Sequence, residues 1–117
     1  MLQQLSYIAP IILLIISNIF MTFAWYGHLK FLNQPLWVVI ITSWGIAFIE
    51  YCFAVPANRI GYANFSAAEL KTMQEVITLI VFVMFSIFYL DEKITTQHII
   101  GFLLISIGAF FIFTAPK

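Results

Sequence analysis

Residues 36–57 read LWVVIITSWGIAFIEYCFAVPA, an apolar stretch that contains one ionisable acid, Glu50. In a helix that rises about 1.5 Å per residue, this stretch is about 33 Å long, which is enough to cross a bilayer core of about 30 Å. Glu50 would lie about 20 Å along that helix, where a charged side chain in hydrocarbon costs about 2.5–3.5 kcal/mol. We therefore expect the stretch to span a membrane and Glu50 to face a partner, a cavity or a transport pathway.

The whole chain has the composition of a membrane protein. Of its 117 residues, 63% are hydrophobic and only 9% are charged, whereas a soluble domain carries about 25% charged residues. Five basic and five acidic residues cancel, so the sequence offers no basic patch for nucleic acid. The single cysteine, Cys52, excludes an internal disulfide and a thiolate metal site. We expect no metal or other cofactor, and no cleaved signal peptide, because the start MLQQLSYIAP lacks basic residues.

Hydropathy predicts one membrane domain, residues 1–117, with helices at about 7–27, 36–57, 66–90 and 94–114. The linkers are short, which makes successive helices antiparallel neighbours. The expected fold class is therefore all-α and integral to the membrane, a compact bundle of four transmembrane helices.

Local chemistry predicts two of the helix boundaries. Pro56 lacks an N–H and frees the carbonyl of Cys52, so we expect a kink or an early end of the second helix there. Ser66 followed three residues later by Glu69 is a capping-box pattern, which predicts that the third helix begins near Ser66.

Basic residues are almost evenly divided between the two ends of these helices. Arg59, Lys71 and Lys117 would share one side of the membrane, and Lys30 and Lys93 the other. Three against two weakly favours both termini in the cytoplasm, and such a small bias is also typical of a chain that inserts in both orientations.

Glu50 is the centre of the first candidate site. Arg59 could reach Glu50, Glu69 or Glu75 if the chain turns back after the second helix, and Lys71 and Glu75 are four residues apart on the third. Two interpretations stay open at this point: a substrate or proton site, or a structural ion-pair lock between the second and third helices. Small residues recur around Glu50 at helical spacing and allow close approach or leave room for a ligand: Ser43, Ala47, Ala54 and Ala57.

The first helix presents a second polar set, Asn18, Thr22, Trp25 and Tyr26, along one side. These residues could line a polar and aromatic cavity, or the first two could join helices by hydrogen bonds while the aromatics anchor the interface. The candidate substrate or proton site then comprises Glu50, Arg59, Glu75, Asn18, Trp25, Tyr26 and Gln74. No nucleophile–base pair or metal-ligand spacing is present, which argues against an enzyme.

The fourth helix carries Gly101 and Gly108, seven residues apart in GFLLISIGA. Glycines on one stripe allow two helices to touch closely, so this stripe is the candidate dimer interface.

Three segments carry a family resemblance. FYLDEKITTQHIIGFLLISIGAFFIF is similar to the last loop and helix of the drug/metabolite transporter superfamily. EYCFAVPANRIGY and LKTMQEVITLIVF resemble the small four-helix bacterial family of unknown function, DUF486, that is placed in that superfamily. The resemblance covers nearly the whole chain and implies a multi-pass protein of the bacterial inner membrane that transports an unknown small molecule.

The related small multidrug resistance transporters have four helices, form dimers that are often antiparallel, and exchange protons on a glutamate of the first helix. Alignment of SNIFMTFAWYGHL with that helix places Asn18 at the position of the glutamate. An amide cannot exchange a proton, so the resemblance implies that Glu50 or Glu75 carries any coupling here. It also implies that Gly101 and Gly108 form the contact of a homodimer. The alternative is a non-transporting membrane subunit in which the polar residues only join helices.

Overall fold

The structure is a computed structural model that describes residues 2–116, with the side chains of residues 4–116. It is helical, with α1 at Leu2–Tyr26, α2 at Leu36–Gly61, α3 at Ala67–Phe88 and α4 at Thr96–Phe113. A 3₁₀ turn at Gly27–Lys30 follows α1. All four helices are long and apolar enough to cross a membrane, which confirms the predicted all-α fold with four spanning helices.

The helices are arranged as a layer instead of a compact bundle. The extensive contacts join α1 to α2, α1 to α3, and α3 to α4, so the helices follow one another in the order α2, α1, α3, α4. The molecule measures 48 × 35 × 22 Å, and α4 has no buried residue. The compactness expected from short linkers is therefore not observed, because a short linker requires the joined ends to be close but does not require whole helices to pack together.

The order of the contacts along α1 and α3 shows the relative direction of these two helices. Asn18 meets Thr78, and Phe23 lies near Phe85 farther along, so α1 and α3 run parallel. At the end of both helices, Lys30 Nζ donates to the carbonyl oxygen of Tyr89 at 2.9 Å and lies 4.4 Å from the centroid of that ring. This contact fastens the turn after α1 to the end of α3.

Of the two outcomes expected at Pro56, a kink or an early end, the early end near Ala57 is not observed. The helix continues to Gly61, because proline removes one backbone hydrogen bond while the following residues remain held by packing. Ala57 and Gly61 are both buried. A Cβ added to Gly61 would lie 3.2 Å from Cβ of Pro10 and 2.6 Å from Cδ2 of Leu70, which shows how closely α1, α2 and α3 meet at this end.

The predicted capping box at the start of α3 is confirmed. Glu69 N–H donates to Ser66 Oγ at 3.2 Å, and Ser66 N–H donates to Glu69 Oε1 at 2.9 Å. A second box that the sequence analysis missed starts α4, where Thr95 N–H donates to His98 Nδ1 at 3.1 Å and His98 N–H donates to Thr95 Oγ1 at 3.3 Å. Histidine seldom signals a cap, so the pattern is hard to see in the sequence. Lys117, which entered the charge comparison, lies outside the described residues.

Candidate functional site

Glu50 is buried at the contact between α2 and α1, with 6% of its surface exposed. Ser17 of α1 donates its hydroxyl to Glu50 Oε1 at 2.9 Å, and Ser17 itself is completely buried. The small residues around Glu50 make this contact possible, since Ala54 and Ala57 are buried on the same face of α2. The acid thus faces protein within the layer, as expected from its cost in hydrocarbon.

Asn18 belongs to a second contact, between α1 and α3. Its side chain is completely buried, its Nδ2 donates to the Leu14 carbonyl at 2.7 Å, and its Oδ1 accepts a hydrogen bond from the Thr78 hydroxyl. Thr22 donates to the Asn18 carbonyl at 2.7 Å. Consecutive residues of a helix point about 100° apart. Ser17 can therefore bond to α2 on one side of α1 while Asn18 bonds to α3 on the other.

Together these side chains form a set of polar contacts on the two sides of α1, buried except for the half-buried Thr78. We call this set the central cluster: Ser17, Asn18, Thr22, Glu50 and Thr78. Sequence reasoning identified Asn18, Thr22 and Glu50 but missed Ser17 and Thr78. Two weak signals existed, because Ser17 is adjacent to Asn18 and Thr78 lies one helical turn beyond Gln74.

Arg59 is not part of the central cluster. No lysine or arginine among the described side chains lies within ion-pair distance of Glu50, so the Arg59–Glu50 pair considered from the sequence is not formed. The reason is the continuation of α2 past Pro56, which keeps Arg59 on the same helix more than two turns beyond Glu50.

Arg59 instead lines an open groove between the end of α2 and the start of α3, which we call the Arg59 groove. Its volume is about 650 Å³, and Lys71 and Gln74 line the α3 side. Lys71 Nζ pairs with Glu75 Oε1 at 2.8 Å on the exposed surface of α3, which confirms the predicted pairing of these two residues. Gln74 and Glu75 therefore accompany Arg59, and none of the three reaches Glu50.

Trp25 and Tyr26 occupy the opposite end of α1. Trp25 is 67% exposed and lines a groove between α1 and α2 together with Trp44. Tyr26 lies on the α3 side, with its ring centroid 5.1 Å from that of Phe82. The two aromatics thus face different neighbours, and neither joins Asn18 in one cavity.

A second cavity at that end, which we call the His28 cavity, has a volume of about 260 Å³. Gln34 and Ser43 give it a polar part, and Phe23 and Tyr89 give it an aromatic part. Glu50 lines neither this cavity nor the Arg59 groove; the central cluster lies between them. Within residues 2–116 no group of three or more His, Cys, Asp or Glu side chains is arranged to hold a metal ion.

One known protein family matches this chain. The family described as "Putative member of DMT superfamily (DUF486)" matches residues 10–113. The chain belongs to this family. The match includes the central cluster and both end cavities. No curated protein and no solved structure matches the DUF486 chain. Family membership and the four apolar helices make it a multi-pass membrane protein.

Proposed function

We propose that this protein transports a small molecule across the bacterial inner membrane, by a mechanism in which Glu50 handles charge or protons. The observation that carries the proposal is the burial of Glu50 without a counter-ion among the described side chains. Glu50 has a carboxyl group buried in a spanning helix, with one hydroxyl donor, Ser17, and no cationic partner among the described side chains. An intramembrane acid without a counter-ion is typical of ion and substrate pathways.

The two cavities at opposite ends support a pathway through the central cluster. The Arg59 groove lies at one end of the layer and the His28 cavity at the other. In alternating access, small rearrangements of α2 and α3 against α1 would open the cluster first to one cavity and then to the other. Asn18 would then contact the substrate at the cluster, Trp25 and Tyr26 would act at the end of α1 near the His28 cavity, and Arg59, Gln74 and Glu75 would act at the other mouth.

The position of the acid also supports proton coupling. Asn18 occupies the position at which the resemblance to small multidrug resistance transporters implies a glutamate, and Asn18 is held by protein contacts. Ser17, its neighbour on α1, binds the carboxylate of Glu50. We infer that the exchanging acid is supplied here by α2 instead of α1, at the same depth of the layer.

A homodimer would complete the pathway. A layer of helices leaves both faces of α1 incompletely covered, and α4 is exposed on every side except the one against α3. A Cβ added to Gly101 or Gly108 would meet no atom within 4 Å, so the glycine stripe is free for a second copy.

Proton-driven uptake tests the role of Glu50. Small molecules are first screened for thermal stabilisation of the purified protein, and the hits are assayed for uptake into proteoliposomes with and without a pH gradient. We expect Glu50→Gln to abolish the effect of the gradient, because glutamine keeps the shape of the side chain but cannot exchange a proton. Glu92→Gln, in the exposed loop before α4, is the matched control and should behave as wild type. Equal gradient dependence in wild type and Glu50→Gln would remove Glu50 from this role.

One observation favours a second candidate, a non-transporting membrane subunit. Ser17 bonds to Glu50 and Thr78 bonds to Asn18 between neighbouring helices, as polar residues that join helices do. Under this function Glu50→Gln should sharply lower the melting temperature in detergent, and no small molecule of the screen should raise it.

A further inference from the structure

The groove between the end of α2 and the start of α3, proposed above as one mouth of the pathway, contains cationic and amide groups that can also bind an anion. Arg59 is exposed, and no acid is paired with it among the described side chains. Asn58 and Gln74 add amide donors to the lining of the same groove. A guanidinium with free N–H groups is suited to bidentate binding of a phosphate or carboxylate.

The depth of this groove places it among lipid headgroups. With α2 extending over Leu36–Gly61, the helix is about 39 Å long, which exceeds a hydrocarbon core of about 30 Å but not the full bilayer of about 40–45 Å. Arg59 is in the last turn of α2 and Lys71 is in the second turn of α3. Tyr62, which also lines the groove, is 68% exposed, as is typical of tyrosines at the membrane interface.

The lining combines charge with an apolar surface. Leu70 is buried beneath the groove with 5% of its surface exposed, and the groove is open to the surroundings with a volume of about 650 Å³. Such a lining fits an amphipathic anion better than a free ion, because the polar rim can hold the headgroup while the acyl chain remains against apolar helix surface.

We propose that the Arg59 groove binds the phosphate of an anionic phospholipid headgroup. Arg59 supplies the main contact, and Asn58 and Gln74 donate further hydrogen bonds. Lys71 is across the groove but is held by Glu75 at 2.8 Å, so its charge is partly neutralised until that pair opens. The proposal is independent of whether the protein transports a solute.

Because Lys71 is paired with Glu75, removing Arg59 and removing Glu75 should change lipid binding in opposite directions. Phosphatidylglycerol and phosphatidylcholine are titrated separately into the purified full-length protein in detergent, and bound lipid is counted by native mass spectrometry. We expect wild type to prefer phosphatidylglycerol, and Arg59→Gln to weaken its binding about tenfold, the size of a lost hydrogen bond to a charged group. Glu75→Gln should strengthen the binding, because it releases Lys71. Lys71→Gln should weaken it and serves as the second variant if Arg59→Gln does not fold.

The controls distinguish lipid binding at the Arg59 groove from a general effect of the protein's net charge on lipid binding. Lys93→Gln removes a positive charge from the loop before α4 and should leave lipid binding unchanged. Inorganic phosphate is titrated as the competing source of the same chemical group and should bind more weakly than phosphatidylglycerol. Three results would overturn the proposal: equal binding of the two lipids, equal loss in Arg59→Gln and Lys93→Gln, or equal binding of inorganic phosphate and phosphatidylglycerol.

Discussion

At the scale of single residues, the contact between Ser17 and Glu50 joins α1 to α2. The hydroxyl of Ser17 is completely buried and lies 2.9 Å from the carboxylate oxygen of Glu50. In the interior of a membrane no water replaces a lost hydrogen-bond donor, so loss of this bond would leave the carboxyl oxygen unsatisfied. Hydrogen bonds between membrane helices average about 0.6 kcal/mol, and an unsatisfied buried partner costs about 1–3 kcal/mol.

Ser17→Ala should therefore lower the free energy of unfolding by about 1–2 kcal/mol, because it leaves Glu50 Oε1 buried without its donor. The measurement is denaturant-induced unfolding in detergent micelles, followed by circular dichroism. Ser106→Ala is the matched control, since Ser106 is exposed on α4 and bonds only to the Phe102 carbonyl in its own helix. If both variants unfold like wild type, the Ser17 hydroxyl does not support the α1–α2 contact.

At the scale of helices, α1, α2 and α3 approach one another closely at Gly61, where α2 ends. An added Cβ would lie 2.6 Å from Cδ2 of Leu70 and 3.2 Å from Cβ of Pro10. Pro10 is a buried ring with a fixed shape, and Leu70 is buried as well. The Pro10 ring can yield only if α1 moves, whereas Leu70 Cδ2 is the end of a side chain that can rotate, so an alanine here would be crowded chiefly against Pro10.

Gly61→Ala should destabilise the protein by about 1–3 kcal/mol, the usual cost of overpacking a well-filled contact. Gly45→Ala, in the same helix, is the control: its added Cβ would meet no atom within 4 Å, and alanine favours a helix over glycine by up to about 1 kcal/mol. Thermal unfolding in detergent should thus shift downward for the first variant and stay unchanged or rise for the second. A lower melting temperature for Gly45→Ala than for Gly61→Ala would contradict this description of the contact.

At the scale of the whole molecule, the layer of four helices leaves much apolar surface without a protein neighbour. In α4 no residue is buried, and its one extensive contact is with α3. Lipid can cover such a surface, but it cannot enclose a polar pathway, because backbone and side-chain polar groups need protein or water partners in a membrane. We therefore propose that a transporter built from this chain uses a second copy, held at the stripe with Gly101 and Gly108.

Cysteine crosslinking tests this dimer. In a Cys52→Ala background, Gly101→Cys and Gly108→Cys should each give a crosslinked dimer in native membranes, because close helix approach brings the two copies of the stripe together. Trp37→Cys is the control, since Trp37 is exposed on α2 at the other edge of the layer. Dimers at Trp37→Cys but at neither glycine position would move the interface away from α4.

Local sequence patterns determined the elements of this protein. Hydropathy alone predicted four spanning helices, and the capping box at Ser66 predicted where α3 begins, because both depend on residues that are close in the chain. The same locality explains why the early end expected at Pro56 was wrong: the packing of Ala57 and Gly61 that keeps α2 helical involves other helices. Burial of Glu50 could be anticipated as well, since the cost of an acid in hydrocarbon does not depend on which helix faces it.

Only the tertiary structure decided which side chains bond to one another. The sequence left Glu50 as one of three acids that Arg59 could reach, yet the structure assigns Ser17 to Glu50 and leaves Arg59 in a groove at the end of α2. Thr78, far from Asn18 in the chain, became its hydrogen-bond donor. Which face of a helix meets which neighbour depends on the order α2, α1, α3, α4 across the layer. That order results from how whole helical surfaces fit together, and no short stretch of residues contains it.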